Sequence, residues 1–347
     1  MPLTTSAAPP TTDAVASSVD AVAAVADLRV TFRRAGQDVQ ALRGVSLDVA
    51  PGEILGLVGE SGSGKSVLGL SLLGLLPGSP ATSGAAVVCG LDMLTAPESA
   101  RRELRRARLG AVFQDPMTSL NPTMTIGRQV AEAAGSGDDA VRLLDAVGLP
   151  DARRRQGSYP HELSGGQRQR VMIAMAVAGR PSLVVADEPT TALDVTVQAQ
   201  VLALTRRLRD EIGCAFVLIT HDLGVAAQVA DRVAVLYGGR IAEIGPTADV
   251  LAAGAHPYGV ALTRSRLTLS SPRGGPLLAL AGEVPSPTRP EPGCAFAPRC
   301  ELAGEDCRAS PPDPHPVAPG HTSACLRPWD EVRRLAATPA QADPSQA

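Results

Sequence analysis

Lysine is almost missing from this chain. Of its 32 basic residues only Lys65 is lysine, and the rest are arginine. Guanidinium is a planar fork, whereas an ammonium is a compact point charge on a flexible stem, so the lone lysine marks a place where the point charge is wanted. Aromatics are scarce as well, at 2%. Binding single-stranded nucleic acid by base stacking needs a platform of rings, so that mode is excluded, and the core must be packed by Ala, Val, Leu and Ile. There is no surplus of positive charge either. A net charge of -3 and a pI near 6.0 supply no basic stripe for a phosphate backbone, and nucleic acid is not an expected partner. No apolar run reaches the ~18 residues of a membrane-spanning helix. Residues 1–26 lack the basic start and compact apolar run of a secretory signal. The expectation is a water-soluble protein of the cytoplasm with a disordered lead-in over residues 1–26.

What is present has α/β punctuation. With 44% hydrophobic residues in 347, the chain has material for about two domains of ~150 residues. Short β-like runs at 28–32, 45–49 and 53–58 are separated by Gly and Pro turns. Residues 54–58 are apolar throughout, as in a strand buried on both faces, and they lead through a glycine-rich loop into a helical run at 67–76. Later strands at 183–186 and 215–219 flank a helix-like stretch at 195–212, which implies a parallel central sheet. Helical pieces at 126–134 and 139–148 suggest an inserted helical subdomain. Beyond residue 250, Pro, Gly and Arg crowd the chain and read as a linker or extended wrap. From about residue 335 the composition is that of a disordered tail. Cys89 and Cys214 lie in strand-like apolar contexts and read as core thiols.

Three segments carry the chemistry. Gly59-Glu60-Ser61-Gly62-Ser63-Gly64-Lys65-Ser66 fits G-x-x-x-x-G-K-[ST] between a strand and a helix. Its glycines let successive N–H groups converge on one concavity, and the helix N-terminus adds partial positive charge, so phosphate is held without side chains. Lys65 then reaches the β- and γ-phosphates, and Ser66 offers its hydroxyl to Mg²⁺. An Asn-Lys-x-Asp guanine reader cannot exist with one lysine already used. The second segment, Leu183-Val184-Val185-Ala186-Asp187-Glu188, ends a strand in two acids at the sheet edge where ligands bind. Asp187 is suited to Mg²⁺, and Glu188 to polarising the attacking water as general base. The third, Leu163-Ser164-Gly165-Gly166-Gln167, precedes a helical run at 168–178. Ser164 is a natural N-cap and the glycines leave N–H groups free, which makes a second anion site. One nucleotide needs only one such cradle.

That third segment is the signature of the ABC ATPase family, and the chain resembles that family over about residues 28–250. The resemblance implies an α/β P-loop NTPase (RecA-like) ABC ATPase core with an antiparallel β subdomain, an inserted helical subdomain and a C-terminal four-cysteine extension. It also implies that Ser164, Gly165, Gly166 and Gln167 close on the γ-phosphate of ATP held by a partner's P-loop. By the same resemblance Phe32 stacks on adenine, while Gln114 touches Mg²⁺ and the attacking water. Asp194, in Thr191-Ala192-Leu193-Asp194, reaches across the dimer, and His221 contacts the γ-phosphate. Phe113-Gln114-Asp115-Pro116-Met117-Thr118-Ser119-Leu120-Asn121-Pro122, Ala192-Leu193-Asp194-Val195-Thr196-Val197-Gln198-Ala199-Gln200 and His256-Pro257-Tyr258 are similar to the ATPase subunits of dipeptide and oligopeptide importers.

The implied organisation is an ATPase domain over 27–250 with its helical subdomain at about 115–165, an importer-type extension over 251–330, and a disordered tail over 331–347. The implied partners are a second ABC ATPase, identical or related, two membrane permease subunits and, indirectly, an extracytoplasmic solute-binding protein. The protein would then sit peripherally on the inner face of the membrane. Cys294, Cys300, Cys307 and Cys325 are separated by five, six and seventeen residues. Zinc sites usually pair cysteines at closer spacing, and a cytosolic protein rarely keeps disulfides. The pattern resembles a four-cysteine element that holds a [4Fe-4S] cluster in some peptide-importer ATPases, with zinc or unligated thiols as alternatives. The 101–108 arginine run reads as a solvated helix face, with an anion patch as the competitor. A soluble ABC ATPase of translation or DNA repair, an exporter ATPase and a pseudo-ATPase are the rival functions. A single cassette without a long heptad run disfavours the first, and two intact acids with two glycine-rich anion sites disfavour the last.

Overall fold

The strands divide into two sheets according to how much of each is buried. A computed structural model describes residues 20–115, 119–135, 137–191, 193–265, 280 and 282–337. In chain order the strands are β1 (Ala23–Arg34), β2 (Gln37–Val49), β3 (Ile54–Val58), β4 (Ala81–Val88), β5 (Leu91–Asp92), β6 (Leu109–Val112), β7 (Leu183–Asp187), β8 (Ala215–Thr220), β9 (Arg232–Tyr237), β10 (Arg240–Pro246), β11 (His315–Ala318) and β12 (His321–Ser323). The helices are α1 (Lys65–Leu73), α2 (Glu98–Arg108), α3 (Ile126–Ala134), α4 (Gly137–Ala146), α5 (Ala152–Arg155), α6 (Gly165–Val177), α7 (Val195–Ile212), α8 (Leu223–Val229), α9 (Thr247–Ala253), α10 (Pro257–Arg264), α11 (Asp306–Ala309) and α12 (Trp329–Ala337).

The smaller sheet, ordered β2-β1-β4-β5, is antiparallel throughout. Val25, Leu28 and Val30 on β1 and Val45, Leu47 and Val49 on β2 are buried, while Asp27, Arg29 and Ser46 between them are exposed. This is the period-two pattern of a sheet with one wet face. β1 begins at Ala23, inside the stretch expected to be a disordered lead-in, because Ala23 to Ala26 pair with β4 and Ala23 to Val25 also pair with β2. An Ala/Val run has little pattern of its own, and two neighbouring strands order it.

The larger sheet runs β11-β12-β10-β9-β3-β8-β7-β6. Its β9-β3-β8-β7-β6 part is parallel, and β10, β12 and β11 continue it antiparallel. Every residue of β3 and β8 is buried. Leu55 and Leu57 pack toward the antiparallel sheet and α1, whereas Ile54 and Val58 join the core that includes Ile126, Leu144 and Val171 of α3, α4 and α6. One strand thus cements both layers.

Several expectations need correction. The region beyond 250 is not only a wrap, because β11 and β12 extend the main sheet at β10. Residues 329–337 form α12, where Val332 is fully buried beside Val260 and Cys325, so the expected disordered tail starts too early. Tertiary contact supplies what local composition does not. Cys89 lies in the turn after β4 with φ 47° and is half-buried, while Cys214 is a buried core thiol. The 101–108 run is the expected solvated helix face, with none of its residues buried and Arg102, Glu103, Arg106 and Arg108 exposed; Arg101 and Arg105 pair with Glu98, and Arg105 also donates to the Leu73 and Gly74 carbonyls that end α1.

One buried carboxylate is a principal anchor of the C-terminal segment. Glu243 on β10, fully buried, accepts from the Ala255 and His256 backbone N–H groups at 2.7 and 3.0 Å and pairs with His321 Nε2 at 2.7 Å. Removing it leaves three buried polar groups without an acceptor. Glu243→Ala is expected to cost about 3 kcal/mol in denaturant unfolding, with hydrogen exchange of Ala255, His256 and Thr322 amides losing protection first. Unchanged stability and protection would refute this anchoring.

Candidate active site

The P-loop follows from β3 being buried to its last residue. Val58 leads into Gly59, where a Cβ would stand 2.1 Å from the Leu236 carbonyl oxygen, so no side chain fits. Gly64 has φ 105° and would place a Cβ 2.6 Å from the Ala41 carbonyl oxygen. Lys65 then opens α1 and is 6% exposed. Its Nζ donates to the Gly59 and Glu60 carbonyls at 2.7 and 2.8 Å, with Ser63 Oγ at 3.5 Å. Burial lowers its pKa, and the charges of Glu188, Asp187 and Glu60 oppose that shift. Ser61, Gly62 and Ser66 lie on the exposed side of the loop, and Ser63 is buried.

The acids arrive on a neighbouring strand. Parallel registration sets Val112 beside Ala186, Ala186 beside Leu218, and Val58 beside Thr220, so four strands end along one edge. Asp187 is bonded to Ser66, yet its Oδ1 is buried with no partner. Burial raises its pKa and Glu188 adds to that, against Ser66 and Lys65. An orphaned carboxylate oxygen beside a hydroxyl is a hard-oxygen donor set, which suits Mg²⁺.

Glu188 has φ 47°, a left-handed conformation that costs energy in a residue other than glycine. Its N–H is fixed to the Ile219 carbonyl at 2.9 Å. One carboxylate oxygen accepts from Gln114 Nε2 at 3.1 Å and Thr191 Oγ1 at 2.7 Å, and the other meets His221 Nδ1 at 3.2 Å. Burial pushes its pKa up, but Thr191, His221 and Lys65 together outweigh that and hold it below the ordinary carboxylate range. It is therefore ionised at neutral pH and able to accept a hydrogen bond. Gln114, Glu188 and His221, more than 100 residues apart in sequence from first to last, meet within hydrogen-bond distance. Thr191 escaped the sequence reading, although a hydroxyl three residues after a strand-end acid is a common local partner.

The signature opens α6. Ser164 Oγ accepts from Gln167 N–H at 3.4 Å while Gln167 Oε1 accepts from Ser164 N–H at 3.0 Å, a reciprocal cap on α6. At Gly166 a Cβ would meet Val197 Cγ1 at 2.6 Å, so the helix start is pressed against α7, and Gly165 lies near Leu193. These hydrogen bonds close within the cap and none reaches the P-loop. Asp194 caps α7 by accepting from Val197 N–H at 2.9 Å, and the adjoining Val195 is 83% exposed. Phe32 is half-buried on β1 opposite Val39. Residues 116–118 and Ala192 of the quoted motifs lie outside the described residues.

The C-terminal cysteines are free, and all four line one small cavity with His256, Pro257 and Arg327. Burial pushes the Cys294 thiol up, that of Cys300 to about 11 and that of Cys325 to about 12. Among the described residues no three His, Cys, Asp or Glu side chains are grouped to hold a metal ion. The expected cluster site is therefore not reproduced as a metal-holding group. Two residues outside the expected set, Tyr258 and Arg299, touch the P-loop at Glu60.

Residues 42–191 match the family described as ABC transporter, and residues 242–307 match the oligopeptide/dipeptide transporter C-terminal region. The oligopeptide transport ATP-binding protein OppD of Salmonella typhimurium is 45% identical over 317 residues, covering 89% of this chain and 94% of that one. The chain belongs to the ABC transporter ATP-binding family, in its oligopeptide-importer branch. A putative peptide import ATP-binding protein of Brucella melitensis is 46% identical over 329 residues, covering 89% and 97% of the two chains. Among solved structures, the ATP-binding cassette MJ0796, described as a dimer in a post-hydrolysis state bound to ADP and Pi, is 27% identical with a TM-score of 0.59, covering 65% of this chain and 98% of that one. cbiO1 from Clostridium perfringens, part of the cbiONQ transporter complex, gives 26% and 0.58, covering 67% and 91%. The family assignment makes this chain an ATPase coupled to transport.

The environment of Glu188 sets the test. Glu188→Gln keeps the volume and the Thr191 contact but cannot take a proton, so ATP turnover should fall by about 10²–10⁴-fold while equilibrium ATP binding is retained. Turnover within a factor of a few of wild type would remove Glu188 from the role of base.

Proposed function

We propose that this chain is the ATP-hydrolysing subunit of a peptide importer, drawing ATP and Mg²⁺ into a site that it shares with a second ABC ATPase. The convergence of Gln114, Glu188 and His221 beside Asp187 and Lys65 carries the reading. Lys65 and the P-loop N–H groups hold the β- and γ-phosphates. Glu188 accepts the proton of the attacking water, and Gln114 and His221 fix the direction in which its carboxylate faces. Asp187 and Ser66 are the Mg²⁺ holders, and Mg²⁺, when bound, neutralises charge on the transferring phosphoryl oxygens.

The second subunit enters because the hydrogen bonds of the Ser164 to Gln167 cap close on the cap itself and leave it a separate anion site from the P-loop of its own chain. The cap at Ser164 to Gln167 opens a helix N-terminus suited to an anion, and in this reading it serves ATP on the partner's P-loop, with Asp194 reaching across the junction. Val195, beside Asp194, is 83% exposed and lies on the face that this reading buries in a dimer. Closing and reopening of the dimer would drive two permease subunits that receive peptide from an extracytoplasmic solute-binding protein, with this chain docked on the cytoplasmic face. Its partner ATPase is a related chain or a second copy. The OppD relative of Salmonella typhimurium, matched over 94% of its length and named for oligopeptide transport, supports an importer. Nothing favours a role on ribosomes or DNA, or in export. Among the described residues no helix is long and apolar enough to cross a membrane.

The four C-terminal cysteines are proposed as ligands of a [4Fe-4S] cluster that staples the extension. The shared cavity lined by the four thiols supports this, and it would require deprotonation of thiols that burial otherwise keeps protonated. Anaerobically purified protein should contain about four iron and four sulfide per chain. Zinc, or no metal at all, would reject the cluster.

Shared-site catalysis gives a concentration signature. With the partner ATPase present, the specific ATPase rate should rise with concentration and then saturate, and Val195→Asp should move that rise to at least about tenfold higher concentration through an unpaired charge at the junction. A monomer at full speed at any dilution would overturn the shared site. Peptide uptake by proteoliposomes carrying the complete complex, dependent on ATP inside, tests the importer assignment.

A further inference from the structure

We propose that Arg299 and Tyr258 are positioning residues for ATP, clamping Glu60 so that the C-terminal extension forms part of the nucleotide site. The proposal rests on the reading of the P-loop given above. Glu60 is the second residue of that loop, between glycines that leave the backbone loosely constrained. Both of its ends are held from outside. Its N–H donates to the Tyr258 hydroxyl at 2.8 Å. Its carboxylate accepts a bidentate pair from Arg299, Nη1 to Oε2 at 2.6 Å and Nη2 to Oε1 at 3.1 Å.

The clamp is itself fixed. The Arg299 side chain is 4% exposed, and it donates to the Tyr237 hydroxyl at 3.0 Å and the Leu280 carbonyl at 3.1 Å. Tyr237, Tyr258 and Phe296 pack with ring centroids 4.4 to 5.3 Å apart. Two of the chain's three tyrosines are thus spent on this one junction. A planar fork locked on a carboxylate orients it in a way that a point charge does not, which gives arginine a purpose here as lysine has one at position 65.

The remaining ties of the loop include the Ser63 N–H to the Glu60 carbonyl at 3.3 Å, the Gly239 N–H to the Ser63 carbonyl at 3.0 Å, the Ser66 side chain on Asp187, and Lys65 on the Gly59 and Glu60 carbonyls. Lys65 must exchange those carbonyls for phosphate when ATP enters. Glu60 then keeps only the Ser63 N–H on its carbonyl besides the clamp from the extension. Releasing the clamp lets the loop sample arrangements in which its N–H groups no longer converge. This weakens ground-state and transition-state binding alike, so KM rises while kcat holds.

The test uses the full-length chain in its assembled complex, with Mg-ATP as ligand. Arg299→Met should raise the Kd and KM for ATP about tenfold with kcat within about twofold. Arg299→Lys should recover part of the loss. Glu60→Gln should act in the same direction, and the Glu60→Gln/Arg299→Met double variant should be no worse than the poorer single, because both remove one interaction. If Arg299→Met does not fold, Arg299→Lys and Tyr258→Phe decide, the latter removing only the hydroxyl. A residue that merely supports the fold would lower Tm without this split and without coupling to Glu60. Unchanged KM in folded Arg299 variants, or additive effects in the double variant, would overturn the clamp while leaving the nucleotide site standing. A wild-type chain that binds no Mg-ATP would overturn both.

Discussion

Parallel registration of β3, β8, β7 and β6 is the constraint from which the site follows. Because the four strands advance in step, their last residues emerge along one edge, and each polar group that follows a strand is delivered to the same place. Gly59 comes from β3, His221 from β8, Asp187 and Glu188 from β7, and Gln114 from β6. A slip of one residue in any of these strands would turn that strand's side chains to the other face. The apolar filling of β3 and β8 holds the register, since neither strand has an exposed position at which a slip could be tolerated.

Within that edge, charge is balanced by proximity. Lys65 is buried and would be costly alone, but Glu188, Asp187 and Glu60 favour its charged form. Asp187 carries an unsatisfied oxygen, whereas Glu188, one residue on, is surrounded by donors. Two adjacent carboxylates thus acquire different tasks from their surroundings: one is short of a positive partner, and the other is held ionised and aimed. The left-handed backbone at Glu188 separates them, turning its side chain away from the strand alternation that would otherwise continue from Asp187.

The chain's odd composition follows from the same economy. With so few aromatics, the rings are concentrated where two parts of the chain must be joined without a large apolar core. Tyr237 of β9, Tyr258 of α10 and Phe296 of the extension make that join, and Glu243 makes a second one with His321. The extension therefore joins the sheet by strand pairing at β10, by polar anchors and by a ring cluster, with only a small aliphatic cluster around Val332.

Much of the nucleotide site was legible in the amino-acid order. Residues 59–66, the acids at 187 and 188 and the segment 163–167 are contiguous, and their chemistry depends on local backbone shape, which glycine spacing and strand ends determine. The same holds for α7, whose run at 195–212 carries its own N-cap and periodicity. The pairing of Gln114 and His221 with Glu188, the place of Thr191, the strand at Ala23, the helix at Trp329 and the hold of Arg299 on Glu60 were decided only in three dimensions. Each depends on a partner far along the chain, and no local propensity encodes a contact between residues 60 and 299. Sequence specified which groups could bind phosphate and metal, and the tertiary structure decided which of them meet, because hydrogen bonds and burial act through distances that chain order does not contain.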